Sequence, residues 1–314
     1  MLLRESNILN PKVSICIPSY KQPECLRRAL DSIFIQTFQD YEIVITDDSP
    51  DDSVEKVVRD YNTQFGVVKY RKNKVTKGSP ENWNTAIELA SGEYIKILHH
   101  DDWFSSKHSL AEFVGLLENN PEADFGFCSS LNFDDDQKLR FLHTASESQI
   151  HALRADPKAL FGGNFIGSPS ATIYRRRVSQ KFDPRLKWVV DIDFYIRLLR
   201  MNRIFCVSIK PLVSIRVFSP DQVTAACEGN KTVELFEWLL LYTKIADGSR
   251  LDYECLQNVW RLFDRYAVRS EQDVLGCGVE FPLPLEIRVM LFLRMWSKDI
   301  HVRSWFRKHF RRHS

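Results

Sequence analysis

The chain has 314 residues, 44% hydrophobic and 27% charged, an ordinary balance for a soluble globular protein of one large or two modest domains. A net charge of +2 excludes nucleic-acid binding driven by bulk charge. Seven scattered cysteines with no CxxC pair argue against a disulfide framework or a zinc centre.

In chain order, VSICIPSY reads as a strand, and Glu24 to Gln36 as a helix with Leu26, Leu30, Ile33 and Phe34 on one face. YEIVITDDS is a second strand, SVEKVVRDYNTQF a second helix and VVKYRKN a third strand. SPENWNTAIELASG predicts a helix with Ser79 as N-cap, Pro80 in its first turn and Gly92 as its stop. EYIKILHH is a fourth strand, SLAEFVGLLENNP a helix and DFGFCSSLNF a fifth strand. Strands separated by helices of this length imply parallel pairing, and apolar strands with little alternation fit a sheet covered on both faces.

After Phe133 the pattern loosens into a loop with a short helix. SATIYRR then gives a strand, Asp191 to Met201 a helix, and IFCVSI and LVSIRVF two further apolar segments. Beyond Gly229 the text is helical. The fold class is therefore α/β: a doubly wound, mostly parallel, Rossmann-like sheet over residues 1–228, with a nucleotide half at about 12–135 and an acceptor half at about 136–228. A helical region at 229–314, basic at its end, follows.

In an open parallel sheet, ligands bind beyond the carboxyl ends of the strands. Three of those ends are polar here: Pro18-Ser19-Tyr20, Asp47-Asp48-Ser49 and Asp101-Asp102. Neighbouring aspartates repel, so the last pair needs water or a cation, although Asp-Asp is also a common turn and helix-start dipeptide. No GxGxxG or GxxxxGK[ST] motif is present. Carboxylates without clustered Cys or His ligands suit a hard cation, Mn²⁺ or Mg²⁺, bridging to diphosphate oxygens.

The motifs VSICIPSY, SIFIQTFQDYEIVITDDSPDDS, NTAIELASGEYIKILHHDDWF, GSPSATIYRR, VVDIDFYIRLL and IRVFSPDQVT, in this order, resemble family 2 of the inverting glycosyltransferases, with the GT-A fold. The resemblance covers Lys12 to Thr224. It implies a nucleotide-diphosphate sugar donor, a UDP-sugar first, and a glycan or lipid-linked acceptor in cell-surface polysaccharide synthesis. Pro18 and Tyr20 would line the base pocket, with Asp47 reading the base edge and Asp48 beside it. Lys77 would contact base or phosphate, Asp101 the ribose, and Asp102 the metal. Asp191 would be the catalytic base, taking a proton from the attacking acceptor hydroxyl. Trp103, Trp188 and Asp193 are candidate sugar or acceptor contacts, with Trp83 a further stacking candidate; each tryptophan also reads as packing. Arg197 reads as an ion-pair partner inside the helix layer.

Two positions depart from the family pattern. His99 replaces the first aspartate of an Asp-x-Asp-Asp motif, and Phe218 stands where many members carry a histidine that can ligate metal. Two alternatives therefore stay open: a silent nucleotide-sugar-binding subunit, and a sugar nucleotidyltransferase, which IPSYKQPE does not favour because it lacks a Gly-rich basic loop.

The first residues lack the apolar stretch of a signal peptide, and no apolar run reaches about eighteen residues. The expected location is the cytoplasm. Leu285 to Arg312 interleaves aromatic, aliphatic and basic residues, which reads as an interfacial helix at the inner membrane face, or equally as a helix packed on the body or in an oligomer contact.

Overall fold

The computed structural model describes residues 10–65, 68–246 and 252–296. They fall into two compact units. The first runs to Pro157 and takes in Asn164–Pro184 and Val190–Gln222; the second comprises Lys158–Gly163, Arg185–Val189 and the chain from Val223 onward. The division lies a few residues before the expected 228, and two short segments of the expected acceptor half belong to the second unit.

The first unit opens with β1 (Val13–Ser19), α1 (Pro23–Phe34), β2 (Tyr41–Asp47), α2 (Ser53–Phe65), β3 (Val68–Lys72), α3 (Glu81–Leu89) and β4 (Tyr94–Ile97). These strands pair in parallel in the order β3-β2-β1-β4. Every residue of β1, β2 and β4 is buried, as strands covered by helices on both faces require. Leu26, Ala29, Leu30 and Ile33 of α1 and Val54, Val57 and Val58 of α2 fill the same core as Ile15, Ile17, Ile43 and Ile45. Ser79 does not cap α3: Pro80 holds that position and no side chain caps the helix.

The remaining elements are β5 (Trp103–Phe104), α4 (Ser109–Glu118), β6 (Phe125–Phe133), β7 (Leu139–His143), α5 (Glu147–Ala155), β8 (Thr172–Arg175), α6 (Val190–Met201) and β9 (Phe205–Arg216). The predicted fifth strand, β6, does not adjoin β4. Instead β8 enters antiparallel between them, β9 lies parallel to β6, and β5 closes that edge antiparallel to β9. The two apolar segments expected after α6 are one strand, β9, whose register with β6 shifts around Ser129. A second difference is β7, which forms a hairpin with β6 where a loop was expected.

Gly92 marks a close crossing. Its N–H donates to Ser14 Oγ at 2.8 Å, and a Cβ there would lie 2.6 Å from Ser14 N and 2.8 Å from the Val13 carbonyl carbon. Backbone cannot yield as a flexible side chain can. Gly92→Ala is therefore expected to cost about 2 kcal/mol through overpacking, read as a lower urea midpoint at unchanged slope; an unchanged midpoint would contradict the crossing.

The second unit contains α7 (Val223–Cys227), α8 (Lys231–Ile245), α9 (Tyr253–Arg265), α10 (Glu271–Leu275) and α11 (Leu285–Trp296). Glu237 of α8, 3% exposed, accepts hydrogen bonds from the backbone N–H groups of Lys187, Trp188 and Val189 at 2.7–3.0 Å. Burial raises the Glu237 pKa, and the three donors oppose the rise. On α11, Leu285, Val289, Phe292 and Met295 are exposed while Ile287, Met290 and Leu291 are buried. Arg294, expected on a solvated basic face, is instead 8% exposed, donates to Val268 O and pairs with Asp264 at 2.9 Å. The rest of the predicted interfacial helix, from residue 297, lies outside the described residues. Among the described residues no helix is long and apolar enough to cross a membrane.

Candidate active site

The strand order brings the three polar strand ends together, because β1 has β2 on one side and β4 on the other. Asp48 N donates to Ser19 O at 3.0 Å, and His100 Nδ1 lies 3.3 Å from Pro18 O. Tyr20, past the end of β1, is 44% exposed and available to a ligand.

Asp47 and Asp48 are 0% and 3% exposed, and neither caps α2; Asp51 takes the Ser53 N–H instead. Asp47 accepts from Ser49 N at 2.7 Å and from Tyr70 Oη at 2.8 Å. The Asp48 carboxylate accepts from Gly78 N at 2.7 Å, Lys77 N at 3.1 Å and Asn73 Nδ2 at 2.7 Å. It therefore fixes the loop before α3. Through that loop it places Lys77, whose ammonium donates to Thr85 Oγ1 at 2.8 Å.

Beyond β4 the chain turns sharply, with Asp102 N donating to His99 O at 3.0 Å. The turn sets one ligand atom from each of His99, Asp101 and Asp102 within 4.8 Å of one another. Asp102 is 2% exposed and accepts from Arg216 N at 3.2 Å, with His99 Nδ1 3.7 Å from its other oxygen. Burial, then the neighbouring Asp101 carboxylate, pushes Asp102 well above the usual carboxylate range. Burial likewise takes His99 down to about 4. Nε2 of His99 and of His100 are both buried without a hydrogen-bond partner. Two carboxylates held together against their own repulsion, beside an orphaned imidazole nitrogen, fit a divalent cation. Asp101 and Asp102 suit Mg²⁺ or Mn²⁺, and the imidazole tips the set toward Mn²⁺.

Arg216, the last residue of β9, and Gln222 beyond it both contact this turn. Arg216 donates through Nε to Asp135 at 2.6 Å, and through its two terminal nitrogens to Gln22 Oε1 and Ser219 Oγ, each at 2.7 Å. Gln222 Nε2 reaches Asp101 Oδ2 at 3.2 Å and Arg216 O at 2.7 Å. Gln22 and the preceding Lys21 both have positive φ, 54° and 55°, which non-glycine residues adopt only when surrounding contacts hold them there. Phe218, in place of the histidine, has φ 62° and is 73% exposed.

Behind the turn stands a group the sequence reading passed over. Lys96 is 0% exposed in β4, and its ammonium donates to Ile97 O at 2.9 Å and to Ser170 O at 2.5 Å. Burial lowers it to about 7. The signal was present in YIKIL, a lysine inside a strand whose neighbours are all apolar. Ser170 Oγ in turn accepts from His99 N at 2.9 Å.

The loop carrying Ser170 begins at Asn164, and Asn164 Nδ2 donates to Asp191 Oδ2 at 2.7 Å and to Gly167 O at 3.0 Å. The other Asp191 oxygen accepts from Ile192 N in the first turn of α6, where backbone dipoles favour a negative charge. Asp191 is half-buried. One loop thus links Asp191 to the cluster at His99–Asp102. Asp193 faces the other way: it is 1% exposed and pairs with Nε and a terminal nitrogen of Arg197, both at 2.9 Å. It is held in an ion pair within the helix layer, the pairing expected of Arg197. Trp103 is half-buried beneath the Arg28 guanidinium, 3.9 Å from its ring centre, and beside Phe133, which leaves little face for a sugar. Trp83 packs on His99 and Phe182. Trp188, half-buried, belongs to the second unit.

Two outcomes follow. Because Asp102 holds its proton above the usual carboxylate range, cation binding must displace it, so Mn²⁺ affinity is expected to fall as pH is lowered. Calorimetry in buffers of differing ionisation enthalpy would show proton release; buffer-independent heats would contradict it. Asp193→Asn is expected to cost about 2 kcal/mol of stability, less than a fully buried pair because Arg197 keeps some water. A denaturation midpoint equal to wild type would contradict that assignment.

The family model for glycosyl transferase family 2 matches residues 14–182. A GalNAc(5)-diNAcBac-PP-undecaprenol beta-1,3-glucosyltransferase of Campylobacter jejuni is 34% identical over 204 residues, 62% of this chain and 65% of that one. Among curated relatives the match spans from 20% to 76% of the relative's length. Of solved structures, S. aureus TarS 1-349 in complex with UDP-GlcNAc superimposes with TM-score 0.62 at 17% identity, over 90% of this chain and 79% of that one. The mannosyltransferase PcManGT from Pyrobaculum calidifontis, in complex with GDP-Man and Mn²⁺, gives 0.58 at 17% identity, over 98% and 87%. The fold is the GT-A glycosyltransferase fold, and the chain belongs to glycosyl transferase family 2.

Proposed function

We infer that this glycosyltransferase moves a sugar from a UDP-sugar to a hydroxyl of a glycan or lipid-linked acceptor, with inversion at the anomeric carbon. The observation that carries the reading is the loop from Asn164 to Ser170, which orients Asp191 at one end and supports the His99–Asp102 turn at the other. A base and a diphosphate site on one rigid connection suit a single displacement, in which the acceptor oxygen attacks as the diphosphate departs from the opposite side.

In this reading Tyr20 and Pro18 face the base, and Asp47 and Asp48 set the wall and loop around it. The polar edge for the base then includes the backbone that Asp48 fixes at Lys77 and Gly78. Asp101 meets the ribose, and Asp102, with Asp101 and His99 beside it, holds the cation. A bound divalent ion supplies charge neutralisation for the leaving diphosphate. Asp191 accepts the proton of the acceptor hydroxyl, its carboxylate aimed by the Asn164 amide. The Campylobacter relative's name supports a lipid-linked acceptor, and the TarS complex supports a uridine donor. A peripheral membrane contact through the exposed Leu285, Val289, Phe292 and Met295 face of α11 would suit such an acceptor, at the cytoplasmic side.

Nucleotide release from UDP-, GDP- and dTDP-sugars with Mn²⁺ tests the reaction class; silence toward all of them, with nucleotide bound, would favour the donor-binding subunit. Asp191→Asn is expected to keep UDP affinity within about twofold while transfer falls by roughly 100-fold or more. Unchanged turnover would remove Asp191 from the chemistry.

A further inference from the structure

We propose that Phe218 and Phe141 form an aromatic corner that binds the acceptor's sugar ring, a subsite that rests on the glycosyl-transfer reading above. Phe218 is a bulky residue in the left-handed region at φ 62°, and it leaves its ring 73% exposed. A lone exposed ring is common, but a bulky residue held in this conformation is not, and strained backbone concentrates at ligand-binding positions. The ring of Phe141, itself 42% exposed, lies 6.2 Å away at an interplanar angle of 57°, so the two form an open angle and not a closed stack.

The position of the corner identifies its occupant. Phe218 lies two residues beyond Arg216, whose N–H donates to Asp102, so one side of the corner adjoins the diphosphate site. Phe141 shares a face of β7 with His143, because alternate strand residues point the same way. His143 Nε2 meets Phe165 O at 3.1 Å, and its ring carbon sits 3.4 Å from where a Gly167 Cβ would be, inside the loop that orients Asp191. One ring of the corner thus follows the residue that bonds Asp102, and the other lies on the strand that meets the loop holding Asp191, so an acceptor entering between those groups would pass it. A pyranose presents an apolar C–H face and a rim of hydroxyls. Two aromatic rings suit the face, and the rim is suited by Asp135 and Gln222, both bonded to Arg216 two residues before Phe218, and by His143, two residues after Phe141. A prenyl chain, by contrast, would gain nothing from that polar rim.

The test uses saturation-transfer NMR on the full chain with diamagnetic Mg²⁺, UDP and octyl β-glycosides of glucose, galactose, GlcNAc and GalNAc as probes. Wild type is expected to saturate ring protons of at least one glycoside more than its octyl protons. Phe218→Ala and Phe141→Ala are expected to weaken that glycoside's affinity by about 10-fold each, the equivalent of one aromatic contact, and Phe218→Trp to restore it. UDP saturation should be the same in all four proteins, which also reports that each is folded. A glycoside affinity unchanged by Phe218→Ala, saturation confined to the octyl chain, or no glycoside signal beside a normal UDP signal would each overturn the subsite. Loss of the UDP signal in wild type would instead overturn the donor reading on which it rests.

Discussion

The dominant constraint in this molecule is a carboxylate buried without enough positive charge around it. Asp102 is 2% exposed beside Asp101. Removing a charge from water is costly unless it is paired or neutralised, so the isolated protein answers by raising the pKa of Asp102. The second answer available is a cation, the one the proposed function calls on. β4 stops at Ile97 so that the chain can turn; Ser170 holds the turn's first amide; Arg216 offers a backbone N–H but directs its guanidinium to Asp135, Gln22 and Ser219. A guanidinium on Asp102 would fill the place of the ion. Keeping Arg216 turned outward leaves the charge imbalance in place for a ligand to correct.

Lys96 fits the same logic from the other side. Its ammonium is buried 0% exposed among phenylalanine rings, 4.5 Å from the centre of Phe113, with two carbonyl oxygens as hydrogen-bond partners. One of those is Ser170 O, so a buried lysine supports the residue that supports the turn. The site is thereby built on strand β4 and on a loop anchored at both ends, which limits how far its carboxylates can relax apart in the absence of a ligand.

Much of the α/β half was legible because its strands are buried on both faces and its helices carry clear apolar stripes. VSICIPS and YEIVITD could hardly be anything else. The hairpin strand β7 was not legible, since Leu139, Phe141 and Leu142 are exposed and its pattern points to no core. Nor was the insertion of β8 between β4 and β6, because four residues fully buried in TIYR carry no record of direction or partner. In the site, Asp191 and Asp193 stand two apart on a helix and so on nearly opposite faces. Sequence alone left both open to function; the Arg197 four residues after Asp193 was the available sign that this one turns inward. Phe218 was read only as a missing histidine, and its exposure and backbone conformation are visible only in three dimensions.

The most direct test of the account is anomalous diffraction from crystals soaked in Mn²⁺ and UDP. The account predicts a manganese peak within coordination distance of the Asp102 carboxylate, with diphosphate oxygens completing its shell and Asp191 on the open side of the ion. A fully occupied peak elsewhere, or UDP bound at the strand ends with Asp102 still hydrogen-bonded only to protein, would contradict it.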